Sequence, residues 1–151
     1  MDEPNGPEAA RADRRRFTLA GLAGLAAGAP AVFLVSTMVL GLRDTRTALR
    51  EWWPQVATGY AAMVLFLLVT ARPLATRMQA APAWIAPFHV VVFTVGAGAG
   101  SLANCLWNGA TDWADWFGKP LFWLLLLGSA PALCIGVFAA LVYVWLERRG
   151  S

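Results

Sequence analysis

One histidine, two cysteines and a run of alternating glycines are the residues of this 151-residue chain best suited to chemistry. His89 is the sole histidine and lies within an apolar stretch, where an ionisable group is a functional hypothesis by default. It can carry a proton or ligate a pigment or haem iron, which makes it the one cofactor-binding candidate. Axial ligation by two histidines would need a second copy of the chain. His89 stands about one turn from the cytoplasmic end of its helix, so the plainer reading is an interfacial histidine bonded to a carbonyl or a headgroup. Cys105 and Cys134 fall at depths that differ by about 15 Å, beyond the roughly 7 Å limit for a disulfide. No serine–histidine–acid set and no metal-ligand cluster can be assembled. The expectation is a protein that is not an enzyme and holds no cofactor.

The run "VGAGAGSLANCLWNG", Val95 to Gly109, lacks the strand and the Lys-Ser/Thr of a phosphate loop. At about 100° per residue, His89, Phe93, Gly96, Gly100 and Trp107 share one helix face, with Asn104 some 60° round. Gly96 and Gly100 form a G-x-x-x-G pair, where a second helix can approach closely. Ala20, Gly24 and Gly28 make a similar stripe upstream. Both are read as packing seams, and at Gly96 and Gly100 Leu or Ile would prevent assembly while Ala would be nearly tolerated. Asn104, the polar intramembrane candidate, and Asn108 are expected to bond between helices or cap the outer end.

Helices must position these groups, and the composition says where those helices lie. Hydrophobic residues make up 58% and charged residues 14%, against roughly 45–50% and 25% in soluble domains. Four apolar stretches, 17–42, 54–71, 85–107 and 120–146, account for the excess and are long enough to cross a bilayer core of about 30 Å. The expected architecture is an all-α, four-helix transmembrane bundle over 14–151, preceded by a disordered cytoplasmic tail over 1–13. Eight of the twelve Lys and Arg residues flank one side: Arg11, Arg14, Arg15, Arg16, Arg72, Arg77, Arg148 and Arg149. Arg43, Arg46, Arg50 and Lys119 flank the other. This asymmetry puts both termini in the cytoplasm. The basic pI reflects topology, so the expected partner is the lipid bilayer and not nucleic acid. Tryptophans gather at the helix ends, as in an aromatic belt. "RRRFTLAGLAGLAAGAPA" has the look of a twin-arginine export signal, but its apolar run continues through "VFLVSTMVLGL" and reads as an uncleaved first span.

The two outer connections are alike. "TALREWWPQ" and "TDWADWFGKP" each carry Thr, an acid, Trp, an aromatic and then a helix-opening proline. This suggests two parallel helix–loop–helix repeats related by an axis along the membrane normal, with Trp52 over Trp116. The stretch "VSTMVLGLRDTRTALREWWPQVATGYAAMVLFLLVTARPLATRM" resembles a bacterial inner-membrane family of two-helix hairpin units with no assigned function. The resemblance covers Val35 to Met78 and, less closely, Phe93 to Arg149. It implies the hairpin architecture and an inner-membrane location, and carries no catalytic residue across.

With two small-residue faces and no catalytic groups, the expected role is helix association, with copies of itself or with a larger membrane complex. A small oligomeric transporter or channel is the alternative, motivated by the duplication and by Pro30 and Pro131. A pigment- or haem-binding subunit, resting on His89, is the second.

Overall fold

The computed structural model describes residues 7–109, 112, 114, 118 and 129–149. Within them the chain forms α1 (Pro7–Leu40), α2 (Leu42–Ala80), a single 3-10 turn (Pro82–Trp84), α3 (Ile85–Asn108) and α4 (Ser129–Arg149). There is no strand among the described residues. Helix prevails because in hydrocarbon every backbone N–H and C=O must be satisfied within its own segment. Four segments are long and apolar enough to cross a membrane: Glu8–Val35, Trp53–Ala75, Pro82–Asn108 and Pro131–Arg149. The protein is a multi-pass, all-α membrane protein.

The helices run up, down, up and down. Each packs on two neighbours, in the order α1, α2, α3, α4 and back to α1. The core fills with Phe17, Leu67, Ile85, Phe88, Val92, Ala139 and Tyr143. The ring of Phe88 lies 5.7 Å from that of Phe17 and 6.1 Å from that of Phe66, which joins α1, α2 and α3. Leu65, Val69, Leu106 and Leu141 point outward and form part of the lipid-facing surface. Trp53, Trp84, Trp107 and Trp145 are exposed near the ends of the spans, and the Arg149 guanidinium lies 4.0 Å over the Trp145 ring.

The first outer connection is not a loop. Residues 42–53 form the opening turns of α2, which runs 39 residues through Pro54 and Pro73. At 1.5 Å per residue that helix is about 58 Å long, well beyond the hydrocarbon thickness. "LRDTRTALREWW" contains no glycine or proline to stop it, and Asp44 in the first turn favours a helix start. Pro54 removes one donor at the water–lipid boundary, where water can satisfy the freed carbonyl. The reversal from α1 falls on Gly41 alone, at φ 86 and ψ 155, a region reserved for glycine.

The N-terminal reading changes as well. Residues 7–13, expected within a disordered tail, are the first turns of α1. Proline at the first position and Glu8 in the first turn suit a helix start. Asp13 is buried and lies 3.6 Å from Arg16, one turn on. Pro30 lies within α1, which continues through it, so this proline does not break the span. The beginning of the expected fourth span, 120–128, and most of the second outer connection lie outside the described residues. So does the expected pairing of Trp52 with Trp116.

Candidate functional site

Gly96 and Gly100 stand where α3 meets α2. A Cβ on Gly96 would run into Met63 Cγ and lie 2.9 Å from the Gly59 carbonyl oxygen. On Gly100 it would lie 2.8 Å from the Gln55 carbonyl oxygen. Gly24 and Gly28 stand where α1 meets α4, with Ala139 Cβ 2.9 Å and Ile135 Cδ1 2.5 Å from their respective Cβ positions. All four serve the packing of this chain upon itself. The expectation that alanine is nearly tolerated fails at Gly96 and Gly100. The nearest obstacles there include backbone oxygens, which cannot swing aside as a side-chain end can.

Gly98 behaves differently. Two residues from Gly96 is about 200° round the helix, so Gly98 faces outward, and a Cβ there would meet nothing within 4 Å.

At the outer end of the α2–α3 seam, Gln55 Nε2 donates to Asn104 Oδ1 at 3.0 Å, and Asn108 Nδ2 donates to the same oxygen at 2.7 Å. Asn104 therefore bonds between helices and also to its own. Trp107, placed on the same face by angle, is 77% exposed. Cys105 is buried and Cys134 exposed, and neither is in a disulfide.

His89 departs most from expectation. It sits near the N-terminal end of α3, yet it points into the bundle and is 2% exposed, away from any headgroup. Its Nδ1 lies 2.8 Å from the Ile85 carbonyl oxygen. A carbonyl only accepts, so this nitrogen carries the proton and donates. In the neutral ring Nε2 is then an acceptor. It is buried and finds no partner among the protein's own groups. The Gly21 carbonyl of α1 lies on that side, but it too is an acceptor.

His89 borders a cavity of about 20 Å³ that all four helices line, with Leu25 and Gly28 from α1, Tyr60 and Met63 from α2, Phe93 from α3 and Ile135 from α4. That space suits a single water and not a haem or pigment ring. The residues around His89 do not fit such a macrocycle. No group of three or more His, Cys, Asp or Glu that could hold a metal occurs among the described residues.

Compared with protein families, curated proteins and solved structures, the chain matches none of them. Its reading therefore rests on its own geometry. Four contributors to that geometry were not singled out from the sequence: Gly59, Gly136, Gln55 and Tyr60. Each is the partner of a residue on another helix, and a partner is visible only once the helices are placed side by side. Gly59 and Gly136 lie on helices with no second glycine one turn away, so neither carries the G-x-x-x-G signal.

Proposed function

We propose that the chain is a non-enzymatic inner-membrane protein, both termini cytoplasmic, that acts by associating with copies of itself or with a larger membrane complex. The contact is made by the outer face of α3. The supporting observation is Gly98. Gly96 and Gly100 are consumed by α2, whereas Gly98 opens on empty space and is flanked by exposed Val91, Thr94 and Leu102. Thr94 and Gly98 are a small-xxx-small pair on the lipid-facing side, the kind of notch into which a second transmembrane helix fits. The Thr94 hydroxyl donates to the Val90 carbonyl within its own helix, so it presents no unsatisfied donor to lipid.

Subunit counting by stepwise photobleaching in lipid nanodiscs tests this reading. Gly98→Leu should reduce assemblies to single chains while leaving the unfolding temperature unchanged, because the added carbons enter open space. Undiminished assembly in Gly98→Leu would refute the outer α3 face as the contact.

A further inference from the structure

We infer that His89 and Tyr60 form a membrane-embedded binding site for one water molecule, which bridges α3 to α2 inside the bundle. The inference goes beyond association and does not depend on it. Three observations carry it. The Ile85 carbonyl fixes the tautomer of His89 and directs an acceptor nitrogen inward. That nitrogen is buried without a protein partner, and an unsatisfied buried acceptor costs free energy. The cavity that His89 lines is lined also by Tyr60 and has room for about one water.

The Tyr60 hydroxyl donates to the Leu25 carbonyl and its oxygen also meets the Ala29 backbone N–H, so its proton is committed and one lone pair is left to accept. His89 and Tyr60 thus bring one acceptor position each to the lining of one cavity. A water has two hydrogens to give, one to each. The remaining lining is apolar, from Leu25, Val32, Met63, Phe93 and Ile135, and offers nothing that would hold a larger polar ligand or a charged one. The site would tie the second helix to the third, with the tyrosine in turn anchored to the first.

Because His89 is the only histidine, selective ¹⁵N-histidine labelling gives one pair of ring-nitrogen signals. Solid-state NMR of the full chain in liposomes should show Nδ1 protonated, Nε2 unprotonated, and a water-to-Nε2 correlation. Tyr60→Phe should abolish that correlation while Nδ1 stays protonated. A protonated Nε2, donating toward the Gly21 carbonyl, would overturn the proposal. So would an unprotonated Nε2 with no water correlation, and so would a correlation unchanged in Tyr60→Phe. The first two outcomes are read on the unmodified protein, so the proposal remains testable if the variant does not fold.

Discussion

Gly59 of α2 and Gly96 of α3 face each other reciprocally. A Cβ on Gly59 would lie 2.8 Å from the Gly96 carbonyl oxygen, and a Cβ on Gly96 would lie 2.9 Å from that of Gly59. In each glycine the hydrogen in that position points at the other's carbonyl, as in a pair of weak Cα–H···O contacts. The backbones touch with no side chain between them. Gly59→Ala and Gly100→Ala should each cost about 1–3 kcal/mol, the usual scale of overpacking, while Gly98→Ala should be neutral. Denaturant unfolding in mixed micelles checks the contrast, and equal stability of the three variants would contradict it.

Glycines whose Cβ would meet side-chain ends should give way more gently. A Cβ on Gly28 meets Ile135 Cδ1 across the α1–α4 seam and one on Gly21 meets the Leu67 methyls across the α1–α2 seam, side-chain ends that can rotate. A Cβ on Gly136 meets the Ala86 carbonyl oxygen at 2.5 Å, which cannot. Gly136→Ala should therefore destabilise more than Gly28→Ala or Gly21→Ala in the same measurement.

Asn104→Leu removes an acceptor that serves both Gln55 and Asn108. Interhelical polar contacts in membranes average about 0.6 kcal/mol and reach roughly 1.7. A loss of that order is expected, with the bundle still folded. Fluorescence of a label at the outer end of α2 should report local loosening there.

Gly41→Ala places a side chain at φ 86, which should cost about 1–3 kcal/mol. Gly109, at φ 65 closing α3, has a less demanding conformation, one that Asn also adopts. Gly109→Asn should accordingly be milder than Gly41→Asn in thermal denaturation.

Reporter fusions after Arg77 and at Ser151 should signal cytoplasm, and a fusion near Thr47 should signal the opposite side. A C-terminus on the side of Thr47 would refute the topology proposed from the charge asymmetry.

The four spans were legible because hydropathy and length are properties of single segments, and each can be read without its neighbours. The stripe of Gly24, Gly28, Gly96 and Gly100 was legible for the same reason, since its spacing is internal to a helix. The start of α2 was not. A cluster of charge and tryptophan followed by proline looks like a connection ending at a helix start, yet Pro54 lies within a helix whose earlier turns extend beyond the span. Depth along a helix was also mistaken for exposure at His89. Nearness to the cytoplasmic end says nothing about which way a side chain points, and Phe88, Ile85 and the first helix enclose it.

The single-residue reversal at Gly41 has a consequence for biogenesis. With no loop between them, the apolar stretches of α1 and α2 have little freedom to enter the bilayer separately, and the geometry favours insertion as one helical hairpin. Its leading tip carries Arg43, Asp44, Arg46, Arg50 and Glu51. Each such Arg or Asp costs about 2.5–3.5 kcal/mol at the membrane centre, so in the topology proposed above translocation of the tip is driven by the two apolar segments behind it acting together. Shortening either one should strand the hairpin on the side of synthesis before any later packing of α3 and α4 can matter.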